Sequence, residues 1–131
     1  MSLSYAQQSA IKQYQDNSIY LQTSLGGFKY IKNGEVKKKG LILAYNLEKE
    51  LAISPNAVVE FRKYRRDKFI ATGFGLATAG IMTAIAVDSE NINPNILWIL
   101  FGTSFTTGII LANAKNKLRK AIWHHNQDLL R

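Results

Sequence analysis

Phe69–Val87, FIATGFGLATAGIMTAIAV, runs for nineteen residues without a charged side chain. At a helical rise of about 1.5 Å per residue it measures roughly 28 Å, close to the hydrocarbon thickness of a bilayer. Ile96–Ala114, ILWILFGTSFTTGIILANA, is a second uncharged stretch of nineteen. Between them Asp88 to Asn95 read as a polar turn, and Pro94 suits the first turn of the following helix. The expected fold class is mainly α and integral to a membrane. Two antiparallel transmembrane helices, about 69–87 and 96–114, form a hairpin joined by a turn at 88–95. A mean hydropathy slightly below zero hides this, because it averages a polar first half with an apolar second half. Two fully apolar helices in a soluble protein would instead need a covering shell, which roughly 70 preceding polar residues can hardly supply.

Working outward, both apolar stretches have basic residues just outside them. Arg62, Lys63, Arg65, Arg66 and Lys68 precede the first, and Lys115, Lys117, Arg119 and Lys120 follow the second. The net charge of +8 is therefore concentrated at helix ends. A nucleic-acid-binding domain would spread it along one helix face or interleave it with aromatics. Flanking clusters, with Trp98 and Trp123 near the interfaces, are the pattern of membrane helix ends. The clusters read first as topology anchors that snorkel to lipid headgroups, and second as a contact site for anionic lipid or an acidic partner. Absence of cysteine removes disulfides and thiolate metal sites without fixing the compartment.

The first apolar stretch is rich in Gly, Ala and Thr, so it is only weakly hydrophobic. Ala71, Gly75, Ala79 and Thr83 recur at four-residue steps, as do Ser104, Gly108 and Ala112 in the second stretch. Small side chains let helix backbones approach closely in lipid, where hydrophobic burial gives no driving force. The expectation is that these two faces meet each other or a partner subunit.

Residues 1–53 read as an extramembrane arm, a turn and an amphipathic helix. Residues 54–131 read as a basic helix entering the first span, the second span and a basic amphipathic tail. Ser9 to Gln22 is too weakly periodic to assign beyond a loose helix or extended arm. Gly26-Gly27 breaks it. Phe28 to Lys32, Asn33-Gly34 and Glu35 to Lys37 suggest a short β-hairpin, because Asn-Gly is the favoured pair of a type I′ turn. Leu41, Ala44, Leu47 and Leu51 then share one helix face. Ser54-Pro55 supplies an N-cap and a proline at the first helical position, and no Gly or Pro interrupts Asn56 to Ala71.

The turn holds Asp88 and Glu90 but no Lys or Arg, so the positive-inside rule puts both termini in the cytoplasm. Ser4-Tyr5-Ala6 also fits the end of a cleaved signal peptide, which would put the N-terminal half outside the inner membrane. The stretch Gly27 to Gly80, with Tyr30, Asn33-Gly34, Lys37 to Lys39, Ser54-Pro55-Asn56-Ala57 and a basic helix entering a glycine-rich segment, resembles small envelope proteins of the Bacteroidetes. The tail Lys117 to Asn126 (KLRKAIWHHN) is similar to the ends of those proteins. The resemblance implies a bacterial envelope location, inner or outer membrane, and a signal peptide. It implies no activity, so it transfers no functional residues.

Motifs of chemistry are weak. His124-His125 are adjacent, about 100° apart on a helix, which does not suit one metal and suggests an interfacial or solvated role. Gly73-Phe74-Gly75 lacks the preceding strand of a dinucleotide loop, and Gly34 to Gly40 lacks the ending of a phosphate loop. Glu48, Glu50 and Glu60 are expected to form intrahelical ion pairs. No catalytic, cofactor or metal residues are assigned. The expectation is a non-enzymatic structural or accessory subunit of a membrane complex, with other membrane subunits or its own copies and anionic headgroups as partners. Neither nucleic acid nor a small-molecule substrate is expected. The second expectation is a self-associating membrane protein forming an oligomer or a threonine-lined pore. A soluble basic nucleic-acid-binding domain ranks last.

Overall fold

The computed structural model describes residues 4–24, 27–38, 44–87 and 93–131. Readings that fall on the first three residues, Gly26, Lys39 to Leu41 and the acidic turn residues Asp88 and Glu90 lie outside the described residues. The elements in chain order are α1 (Tyr5–Asn17), β1 (Ile19–Ser24), β2 (Gly27–Lys32), β3 (Glu35–Lys38), α2 (Tyr45–Leu51), α3 (Pro55–Val87) and α4 (Pro94–Asp128). They form two compact units: Met1–Arg62 with Lys117–Arg131, and Lys63–Asn116. This differs from the sequence division at residue 53. The tail after the second apolar stretch belongs with the N-terminal region.

In the first unit, the weakly periodic arm resolves into a helix and a strand. Ser4 starts α1 with a reciprocal capping box, its Oγ accepting from Gln7 N and its N–H donating to Gln7 Oε1. The β-rich run Ile19-Tyr20-Leu21 then pairs antiparallel with β2 from Ile19↔Lys32 to Ser24↔Gly27. β2 and β3 form the hairpin expected from Asn33-Gly34, whose φ values of 53° and 73° are the two positive angles a type I′ turn requires. The sheet order is β1-β2-β3. α2 is a single short helix with Leu47 and Leu51 buried, and Ala44 is its left-handed N-cap. Glu50 departs from the intrahelical pairing expected of it. It reaches the sheet instead, pairing with Lys32 and lying 3.7 Å from Lys37.

Ser54 caps α3 as expected. Its Oγ accepts from Ala57 N at 3.2 Å while its carbonyl accepts from Val58 N at 3.1 Å, and Pro55 occupies the position where a missing N–H costs nothing. Asn93-Pro94 repeats the device at α4, with Asn93 Oδ1 accepting from Asn95 N at 3.0 Å. The core of this unit gathers Ile19, Tyr30, Leu47, Leu51, Ala57 and Phe61 with Leu118, Ala121 and Ile122 from the end of α4. The α4 tail is thus a core element, and its spacing at 118, 121, 122 and 125 is one helical face turned inward.

Polar bonds fix that tail. The Asn126 side chain accepts from Ile19 N at 2.8 Å and donates to Ile19 O at 2.8 Å. Ile19 has no exposed surface, so its outward-pointing backbone groups have no water to turn to. Ser54 Oγ donates to Asp128 Oδ2. His125, read from sequence as interfacial or solvated, is in fact buried. Its Nε2 lies 3.1 Å from Asn17 O, and because a carbonyl only accepts, Nε2 carries the proton. Its Nδ1 has no hydrogen-bond partner among the described residues.

Asn126→Ala should orphan both Ile19 groups, at about 1–3 kcal/mol for each buried group left unpaired. Chemical denaturation followed by Trp123 fluorescence should show the loss, with earlier exchange of the Ile19 amide. Stability equal to wild type would refute this account of the tail.

Candidate functional site

The candidate site is the exposed apolar surface of the second unit, with that unit's own basic residues Lys63, Arg65, Arg66, Lys68 and Lys115 near the ends of its helical segments. Here α3 and α4 pair as an antiparallel hairpin. Thr78 Oγ1 donates to Thr103 Oγ1 at 3.0 Å, and the Thr103 hydroxyl donates on to Leu100 O at 3.1 Å. Thr78 lies nine residues before the end of α3, and Thr103 lies nine after the start of α4 (87 − 78 and 103 − 94). Equal helix lengths of about 13.5 Å therefore separate the contact from the connecting segment.

The least exposed residues trace the seam. On α3 they include Ala71, Thr78, Ile81 and Ile85, and on α4 they are Ile96, Leu100, Thr103, Thr107, Ile110 and Ala114. The α4 positions alternate four and three residues apart, a mean of 3.6 that matches the helical repeat and keeps a stripe on one side of the helix. The expected small-residue rows behave differently. A strict four-residue step rotates about 40° each time around a helix of 3.6 residues per turn. A row starting on the seam at Ala71 has therefore turned about 120° by Thr83. Gly75, Ala79, Thr83, Ser104, Gly108 and Ala112 are all exposed. A Cβ built on Gly75 or Gly108 meets nothing within 4 Å beyond its own helix. Within this chain the two rows do not meet each other, and of that set Ala71 alone is buried.

Both helices are long and apolar enough to cross a membrane. Their most apolar eighteen-residue windows are 6 % and 0 % buried within the chain, so they are not the covered core helices of a soluble domain. Phe69, Leu76, Met82, Val87, Trp98, Phe101 and Phe105 all project outward. Five of the threonine hydroxyls, those of Thr72, Thr78, Thr83, Thr103 and Thr107, find an acceptor within the hairpin. Thr72, Thr83 and Thr107 donate to Lys68 O, Ala79 O and Thr103 O at 2.7–2.9 Å. The threonines do not share a stripe: Thr78, Thr103 and Thr107 lie on the seam while Thr83 and Thr106 face outward.

The basic residues divide between the units. Lys63, Arg65, Arg66, Lys68 and Lys115 belong to the second, and Arg62, Lys117, Arg119 and Lys120 to the first. Arg62, Lys63, Arg66, Arg119 and Lys120 are exposed, and the other four are partly so. The sequence reading passed over Asp67, the one acid inside the α3 cluster. It is buried, with Arg66 Nη2 at 3.3 Å from its Oδ1. Its place at heptad spacing between Tyr64 and Ala71, both buried, was the available signal.

In the first unit an open cleft of about 420 Å³ is lined by Tyr30, Lys37, Lys38, Asn46, Lys49 and Glu50. Burial, and then the Glu50 carboxylate, push the Tyr30 phenol above its ordinary value. Among the described residues no three His, Cys, Asp or Glu side chains group as a metal set. No family model, curated protein or solved structure matches the chain.

Three outcomes follow from this geometry. Thr78→Val should weaken the hairpin by about 0.6 kcal/mol, the average for interhelical hydrogen bonds in lipid, measured by thermal unfolding in detergent. Gly75→Leu with Gly108→Leu should leave the hairpin folded, since among the described residues nothing beyond its own helix lies within 4 Å of a Cβ at either position, and should alter only association with other chains. Loss of monomer helicity in circular dichroism would contradict the seam. Because the neutral Tyr30 phenol is the form the fold favours, its contribution is complete below about pH 10, the ordinary tyrosine value. It is lost as pH rises through the raised folded value. The alkaline fall in unfolding midpoint should therefore be shallower in Tyr30→Phe.

Proposed function

We propose that this protein is a non-enzymatic structural or accessory subunit of a bacterial membrane-embedded complex. The two-helix hairpin is its anchor and the first unit its docking part. The carrying observation is the almost complete exposure of both apolar windows, a surface far larger than soluble monomers leave uncovered. Internally satisfied threonines and basic residues at the helix ends support the same reading. The resemblance to Bacteroidetes envelope proteins supports the envelope as the setting. Charge favours cytoplasmic termini, because in the sequence the basic residues lie outside the two apolar runs and Asp88 and Glu90 lie between them.

A second reading, self-association, has its own observation. The small-residue rows at Gly75, Ala79 and Thr83 and at Ser104, Gly108 and Ala112 are exposed and outside the seam, so they are available for close packing with another copy.

The expected result is that the chain pellets with membranes, resists carbonate extraction and migrates in native gels above its 14.7 kDa mass when gently solubilised. Recovery in the soluble fraction would refute it. Migration as a lone homo-oligomer would select the second reading. Since the chain has no cysteine, single Ser9→Cys and Ser89→Cys variants report topology directly. In intact cells an impermeant maleimide should label the Ser89→Cys variant and spare the Ser9→Cys variant, and the reverse pattern would overturn the cytoplasmic assignment.

A further inference from the structure

The strand registers give the sheet two unlike faces. Side chains at paired positions share a face, so Ile19, Leu21, Tyr30, Lys32 and Lys37 project one way, and Tyr20, Gln22, Lys29, Ile31, Val36 and Lys38 the other. The first face is occupied: Ile19 and Tyr30 are buried, and Lys32 and Lys37 engage Glu50 of α2. The second is open. Tyr20 is 52 % and Val36 56 % exposed, and Gln22, Lys29 and Lys38 are exposed as well. Around its rim, Ser18 Oγ donates to the Tyr20 hydroxyl at 3.4 Å.

This open face consists of two rungs. One is an apolar ladder, Tyr20–Ile31–Val36, crossing all three strands. The next, about 7 Å along the strands, is Gln22–Lys29–Lys38. Lys29 and Lys38 are direct cross-strand partners. Counting outward from the two-residue turn, Lys32↔Glu35 is hydrogen-bonded, so Lys29↔Lys38 falls at a non-hydrogen-bonded position, where side chains stand closest. Like charges directly opposite destabilise a sheet. No acidic residue shares this face, and neither lysine has an ion-pair partner among the described residues. The arrangement costs the fold stability and gains nothing within it.

We infer that this face docks an acidic amphipathic helix of a partner subunit, with apolar side chains on the Tyr20–Ile31–Val36 ladder and carboxylates between Lys29 and Lys38. Three strands at about 4.8 Å spacing make a ladder roughly 10 Å wide, the diameter of one helix. A second copy docked face to face would bring lysine pair against lysine pair, which charge forbids. An anionic membrane surface is recruited by clusters of about four to eight basic residues, and this face has the two lysines named. The inference rests on the proposed role of the first unit as docking part and names the chemistry it recognises.

The test uses the full chain in phosphatidylcholine nanodiscs. The probe is a fluorescein-labelled amphipathic helical peptide with leucines on one face and glutamates beside them, compared with a twin bearing lysine for every glutamate. Wild type should bind the acidic peptide and not its twin. Lys38→Glu replaces the like-charge rung by an attractive pair of opposite charges across β2 and β3, so it should raise the unfolding midpoint while weakening the peptide about tenfold. Loss of binding then cannot be misfolding. The double reversal Lys29→Glu with Lys38→Glu should switch preference to the basic twin. Peptide affinity indifferent to Lys38→Glu, or no switch in the double variant, overturns the inference. So does charge-sensitive binding to phosphatidylserine vesicles without peptide binding, which would make the occupant lipid. Carbonate extraction of the wild type reports on the membrane reading separately, and peptide anisotropy decides the face whichever way that result falls.

Discussion

The backbone N–H and C=O of Ile19 point away from the sheet into a place without exposed surface, and the carboxamide of Asn126 satisfies both. An amide is the one side-chain group that offers a donor and an acceptor at the spacing of a neighbouring strand's peptide group. This bond joins residues 107 apart in sequence, and it makes the last turns of α4 part of the N-terminal unit. Around it, Asn17 receives His125, and Ser54 holds Asp128. The same tail then closes the core with Leu118, Ala121 and Ile122. Without it, a three-stranded sheet and a seven-residue helix would have little apolar surface to bury, and sheets of that size need a packed face to persist.

The second unit obeys a different solvent logic. Its helices touch along a seam spaced three and four residues apart, with a threonine pair in the middle, and present Phe, Leu, Met and Trp outward. Inside a soluble protein those outward side chains would be the core. Here nothing among the described residues covers them. The small residues that suggested the intramolecular contact drift off the seam because a step of four overshoots a helical turn by about 40°. They remain an unused surface on both helices.

The division of charge between the two faces of the sheet follows from pairing register alone. Glu50 neutralises one face by reaching from α2 to Lys32 and Lys37. The other keeps two opposed lysines beside an apolar ladder, a conflict that a single substitution at residue 38 could have removed.

Much of this was legible in the residues. Two uncharged runs of nineteen marked the apolar stretches inside α3 and α4, which themselves run to 33 and 35 residues. Ser54-Pro55 and Pro94 set helix starts through capping and a missing N–H, and Asn33-Gly34 set the hairpin turn through two positive φ angles. These are local effects, decided within a few residues, so sequence alone determined them. Tertiary structure decided which surfaces meet. It turned the arm Ser9 to Gln22 into part of a helix and an edge strand, because β1 pairs with β2. It buried His125 and Asp67, moved Glu50 from its own helix to the sheet, and chose the seam of alternating three- and four-residue steps over the four-residue rows. Each of these depends on a partner distant in sequence, and a residue's type does not say what will stand opposite it.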